Sequence, residues 1–203
     1  KEIIKKGKKS YERGIKLVEK SGDVMISILG VENSGKSYFL KKFTNSNVEV
    51  SDIPFSTKEP AVGTVFYKGI YYQFVEIPST FKKIYRSILS SSDFFILIID
   101  TRRDIGEQIN RINEFCKGII EFSLKEDKNY LIMFNKYDEF SDIKIEEILE
   151  KIIEKKEYIR VFPINSNHAV LLKRGDKVKD FIEKVNRKFL DGFKYANIIR
   201  GSN

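Results

Sequence analysis

Apolar positions along the chain fall into two rhythms. VMISIL (24–29), DFFILIID (93–100) and YLIMF (130–134) are short runs in which nearly every residue is apolar, the pattern of strands covered on both faces of a parallel sheet. Elsewhere apolar residues recur three and four apart: Ile105, Ile109, Ile112, Cys116 and Ile119, then Ile145, Ile148, Leu149, Ile152 and Ile153. That spacing lines one side of a helix. TVFYKG and YYQFVEI read as two strands joined at a Lys68-Gly69 turn, and YIRVF (158–162) as a further strand. Tyr71, Tyr72 and Phe74 alternate along one of these strands, which predicts core and edge packing rather than base stacking. Strands alternating with helices predict an α/β fold, a mostly parallel, doubly wound sheet with helices on both faces.

Composition narrows the class. The 203 residues have room for one main domain and a small appendage. With 41% hydrophobic residues the chain can build a core. No apolar run approaches the roughly 20 residues of a membrane span, and the Lys-rich start lacks the apolar segment of a signal peptide. One cysteine, Cys116, allows no internal disulfide, which fits a reducing cytoplasm. It lies among the helix's apolar residues and is expected in the core. One histidine, His168, leaves no room for a His-built metal centre or a Ser-His-Asp triad and is expected in a surface loop. Residues 1–22 read as a basic helix or arm, weakened by Gly7 and Gly14. The net charge of +8 suits RNA, a ribosome or a nucleotide, but charge alone does not choose among them.

The chemistry is in short motifs. GVENSGKS, Gly30 to Ser37, has the form G-x-x-x-x-G-K-[ST] between a strand and a helix. Its glycines let backbone amides close around phosphates, and the helix N-terminus adds partial positive charge. Lys36 would reach the β- and γ-phosphates and Ser37 would ligate Mg²⁺. Gly30, Glu32, Asn33, Ser34, Gly35, Lys36, Ser37 and Tyr38 are therefore assigned to the phosphate site. About a hundred residues on, NKYD (135–138) ends the YLIMF run. Asp138 there can accept from guanine N1–H and N2–H₂, a donor pair adenine lacks, so GTP/GDP rather than ATP is expected. Lys136 would lie along the base and Asn135 would tie loops together. After the next strand, Asn165, Ser166 and Asn167 are candidates for a third base-contacting loop, or form an ordinary polar turn. A hydroxyl in DIPFSTKEPAVGTV should complete the Mg²⁺ shell when the γ-phosphate is present; Thr57 is the candidate, with Ser56 and Thr64 as rivals.

EKSGDVMISILGVENSGKS, FTNSN, PFSTKEPAVGTVFYKGIYYQFVEIP and SSSDFFILIID together resemble the developmentally regulated GTP-binding proteins of the Obg-related class. Where those proteins carry Phe-Thr-Thr, Pro-x-x-Gly, a Tyr-x-Gly turn and Asp-x-Pro-Gly, this chain has Phe55-Ser56-Thr57, Pro60 to Gly63, Tyr67-Lys68-Gly69 and Glu76-Ile77-Pro78-Ser79. The segment AVLLKRGDKVKDFIEKVNRKFLDGFKYANIIRGSN is similar to the first half of a TGS domain, a ubiquitin-like module. The resemblance implies a P-loop G domain over 23–157. It also implies a partial TGS-like segment over 158–203, which the residues alone would equally allow as a base-contacting loop plus a last G-domain helix. Further implications are GTP and Mg²⁺ as ligands, a ribosomal or RNA setting, a protein partner and a cytoplasmic location. Asn33 matches the potassium-stimulated members of the wider class, which adds K⁺ to the expected ligands.

The departure is at EIPST (76–80). Glu76 keeps a carboxylate for a Mg²⁺-bound water, one methylene longer than Asp. Ser79 keeps an amide but lacks glycine's freedom to flip. Nothing in TFKK (80–83) resembles the Gln or His that would position water. Nucleotide binding with slow hydrolysis is the expectation, and a non-hydrolysing scaffold the alternative.

Overall fold

The computed structural model describes residues 18–46, 59–125, 127–135, 140 and 142–199. Five strands form the main sheet: β1 (Val24–Leu29), β2 (Ala61–Tyr67), β3 (Ile70–Glu76), β4 (Phe94–Asp100) and β5 (Tyr130–Asn135), in the order β2-β3-β1-β4-β5. β1 runs parallel to β3 and β4, and β4 parallel to β5; only β2 is antiparallel, to β3. The β2–β3 hairpin turns at Lys68 and Gly69, both with positive φ, the two-residue turn whose twist matches the strands it joins.

The continuous apolar runs are buried as their composition demands, with every residue of β1 and β4 inside. Alternate residues of β1 feed two cores. Val24, Ile26 and Ile28 face α1 (Lys36–Phe43) and α4 (Ile145–Lys155), through Phe39, Leu40, Ile148, Leu149 and Ile152. Met25 and Leu29 face α2 (Arg86–Ser91) and α3 (Ile105–Cys116), through Ile88, Leu89, Ile112 and Cys116. Helices thus cover both faces, the doubly wound arrangement that the alternation predicts. Tyr72 and Phe74 are fully buried and Tyr71 is half exposed, as strand alternation requires. α3 ends at Cys116, short of Ile119, at a chain reversal where Gly118 takes a positive φ.

YIRVF does form a strand, but outside the main sheet. β6 (Tyr158–Val161) pairs antiparallel with β7 (Val170–Lys173), and α5 (Val178–Asn186) follows. This hairpin lies across the N-terminal end of the parallel strands. Ala169 N–H donates to Gly69 O at 2.8 Å, His168 Nε2 is 2.8 Å from Asp23 Oδ2, and Arg160 bonds Tyr72 Oη and Glu150. At the same end, residues 21 and 22 donate backbone N–H groups to Gln73 Oε1. The basic helix expected over 1–17 lies outside the described residues.

Candidate nucleotide site

β1 delivers the chain to a loop at the C-terminal end of the sheet. A Cβ on Gly35 (φ +104°) would lie 2.0 Å from Asn135 Nδ2, so only glycine lets the loop and the end of β5 approach this closely. α1 begins directly after it, with no side-chain cap and no acidic residue in its first turn. Its first N–H groups therefore remain for an anion.

Lys36 is 5% exposed. Its Nζ donates to Val31 O at 2.8 Å and to Ser79 Oγ at 2.7 Å. Burial lowers its pKa from 10.5 to about 8, against the opposing pull of Glu76 and Glu32. Ser37 Oγ donates to Glu76 Oε1 at 2.8 Å. The extra methylene of Glu76 thus brings its carboxylate onto the hydroxyl expected to ligate metal. Among the described residues no group of three or more His, Cys, Asp and Glu could hold a metal alone. A hydroxyl and a carboxylate beside a phosphate loop fit Mg²⁺, which takes few protein oxygens and fills its shell with phosphate and water.

Asn135, the last residue of β5, donates from Nδ2 to Ser34 O at 2.7 Å. This bond joins the end of β5 to the phosphate loop. Asn135 Oδ1 and Ser34 Oγ are buried with no hydrogen-bond partner among the described residues. An unmatched buried polar atom costs about 1–3 kcal/mol, so both favour a polar ligand. Tyr38 stacks on Phe140 at 6.4 Å, and Phe140 caps the apolar side of α1.

Glu32 points away from the loop, to Arg111 on α3 (2.8 Å) and to Arg103 in the turn before it (3.5 Å). Asn33, at the tip, has φ +56°. At the end of β4, Asp100 is fully buried. Burial alone would raise its carboxyl, but hydrogen bonds from Arg102 and the charges of Arg102 and Arg103 hold it below the usual range. Gln108 brackets its backbone, accepting from Asp100 N–H and donating to Asp100 O.

The structure thus gathers Gly30, Glu32, Asn33, Ser34, Gly35, Lys36, Ser37, Glu76 and Asn135 at one end of the sheet. Lys136, Asp138, Ser56 and Thr57 lie outside the described residues. Thr64 is committed to Asn45, through N–H and Oγ1. Asn165, Ser166 and Asn167 are not brought there. Because β6 pairs with β7 and not with β5, their turn sits beside Gly69 and His168. That is the far end of a strand ~20 Å long. Two features were not legible in the motifs: the bond from Lys36 to the Ser79 side chain, and the anchoring of Glu32 by Arg111, which the pattern shows only as a polar position on α3.

A glycine-rich phosphate loop at the C-terminal edge of a doubly wound sheet, with Asn135 bonded across to it, defines a P-loop G domain. Residues 25–136, more than half of the chain, match the 50S ribosome-binding GTPase family, and the chain belongs to that family. It is 29% identical over 136 residues to the GTPase Obg of Endomicrobium trichonymphae, a match covering 61% of this chain and 32% of that protein. Over 172 residues it is 24% identical to the GTPase Obg of Ureaplasma urealyticum, covering 78% of this chain and 39% of that one. ADP-ribosylation factor-like protein 2 of Dictyostelium discoideum is 28% identical over 163 residues, covering 75% of this chain and 78% of the relative. The chain therefore spans only 32% and 39% of the length of these two Obg relatives. Among solved structures, the G domain of the T. maritima FeoB iron transporter aligns with a TM-score of 0.46 at 21% identity, over 65% of this chain and 98% of that one. Within the described residues no helix is long and apolar enough to cross a membrane.

Proposed function

We propose that this chain is a guanine-nucleotide switch of the Obg-related class, with slow intrinsic GTP hydrolysis, working at the ribosome. The observation that carries the reading is the buried Lys36 ammonium, set between the phosphate loop and the EIPST segment, with Asn135 bonded to that loop from the end of β5. In this reading Lys36 and the loop amides hold the phosphates, while Asp138 and Lys136 take the guanine base. Ser37 and Thr57, with Glu76 acting through a bound water, would hold Mg²⁺. When bound, the metal offsets charge on the β- and γ-phosphate oxygens. Glu76 and Ser37 orient each other before any metal arrives, and Lys36 stabilises the charge that spreads over the transferred phosphoryl group. Thr80 to Lys83 supply no side chain suited to orient water, so turnover is slow and a partner completes the site. Asn33 at the loop tip is the residue through which K⁺ would act.

The flanks support the ribosomal part. Residues 21–157 carry 19 Lys and Arg against 22 Asp and Glu, whereas residues 158–199 carry nine against four and the first twenty eight against three. The basic charge therefore belongs to the segments outside the G domain, which could hold RNA phosphates and leave the nucleotide site clear. The β6–β7 hairpin followed by α5, with Ile182 buried, supports reading 158–203 as the opening half of a TGS-like module, and with it kinship to the developmentally regulated GTP-binding proteins.

The test is multiple-turnover phosphate release from GTP, with Na⁺ or K⁺ and with or without ribosomes. Slow release above a Lys36→Ala control, raised by K⁺ and by ribosomes, is expected. No release above that control would refute hydrolysis, and release indifferent to ribosomes would refute the proposed setting.

A further inference from the structure

Ser79 stands where the chain departs from the switch pattern, and its side chain has a defined task in the structure. Its hydroxyl accepts from Lys36 Nζ at 2.7 Å and donates to Gly30 O at 3.4 Å, and the residue is 7% exposed. One hydroxyl thus joins the phosphate-loop lysine to the first residue of the phosphate loop.

The turn that carries Ser79 is pinned on both sides. Ile77 N–H donates to Ile28 O at 3.0 Å, and Phe81 N–H to Pro78 O at 3.0 Å. Phe81 has φ +46°, a conformation a bulky residue adopts only where its surroundings hold it. Its ring stacks on Phe115 at 4.9 Å, with the Arg111 guanidinium 5.7 Å from its centre on α3. Arg111 also bonds Glu32 of the phosphate loop. Loop and turn therefore share one anchor on α3, and Ser79 is presented to Lys36 by a fixed backbone.

We infer that Ser79 is a specificity-determining residue that favours diphosphate over triphosphate, by holding Lys36 through its hydroxyl. The inference rests on the guanine-nucleotide reading of the site. A lysine ammonium has three donors, and here one is given to Val31 O and one to Ser79. The third donor is left for the β-phosphate, which diphosphate and triphosphate both present beside the loop amides. A terminal phosphate reaches past the loop toward the segment after β3 and needs the lysine there. To engage it, Lys36 must leave Ser79, and a buried hydroxyl loses a charge-assisted partner. The chain therefore resists the triphosphate state, and a factor that draws the EIPST turn away would release Lys36 to it.

The experiment displaces a fluorescent guanine nucleotide with GDP or with a non-hydrolysable GTP analogue, for wild type, Ser79→Ala and Ser79→Thr. Ser79→Ala should lower the Kd of the triphosphate analogue about ten-fold, the worth of a hydrogen bond to a charged group, and change that of GDP less than about two-fold. Ser79→Thr, which keeps the hydroxyl, should keep the wild-type ratio. An unchanged ratio in Ser79→Ala, or weaker triphosphate binding, would overturn the inference. If wild type binds neither nucleotide, the guanine-site reading fails separately. The lysine contact is then read without nucleotide, as acetylation of Lys36 by an amine reagent. Several-fold faster labelling in Ser79→Ala, with other lysines unchanged, supports the latch, and equal labelling refutes it.

Discussion

Lys36 is buried as an ammonium, and that burial makes the site sensitive to pH. Its pKa falls from 10.5 to about 8 because the interior disfavours its charge more than Glu76 and Glu32 favour it. In the unfolded chain the same lysine keeps its proton to higher pH. Between about 8 and 10.5 the unfolded state binds more protons, so stability rises with pH over that window. The gain is on the order of 3 kcal/mol, and it disappears in Lys36→Met; urea unfolding of nucleotide-free protein at pH 7.5 and 10 measures it. Nucleotide affinity moves the other way, weakening above pH 8 as the ammonium loses its proton. Gly35 makes a second prediction at this scale. A methyl there meets Asn135 Nδ2 at 2.0 Å on a φ of +104°, so Gly35→Ala should weaken GDP binding at least about 100-fold, the loss of more than one charge-assisted contact. Calorimetric titration checks this, with circular dichroism to confirm folding.

At the scale of elements, the legible parts were those whose identity rests on local chemistry. A strand buried on both faces must be apolar throughout, so VMISIL, DFFILIID and YLIMF announce β1, β4 and β5. A helix on such a sheet must show a three-and-four spacing, and Ile148, Leu149 and Ile152 do. These three are buried at 4%, 0% and 0% exposure, and Ile152→Ala should cost about 3 kcal/mol, seen as a lower urea midpoint with an unchanged slope. The phosphate loop was legible because its glycines are dictated by backbone geometry. Pairing was not: YIRVF reads as a strand whichever partner it takes, and only the fold shows that it joins Val170–Lys173 and leaves β5. Nor was Ser79, since the residue type shows a lost glycine but not that the hydroxyl which replaced it lands on Lys36.

On the scale of the whole molecule, the pairing of β6 with β7 separates two surfaces. The nucleotide loop occupies the C-terminal end of the sheet, while Asn165 to Asn167 sit at the other, held by His168 to Asp23 and Ala169 to Gly69. Asn165→Ala and Asn167→Ala should therefore leave the GDP Kd within about two-fold, whereas a base-contacting loop at these residues would lose ten-fold or more. In the proposed reading the acidic G domain takes the nucleotide and the basic flanking segments take an anionic partner. The central claim is that the site is built for guanine, and competition against bound fluorescent GDP tests it most directly. Unlabelled GDP and GTP should displace the probe, and ATP at 100-fold excess over GDP should leave it bound, because Asp138 finds no donor pair on adenine. Displacement by ATP at the same concentrations as GTP would contradict the account.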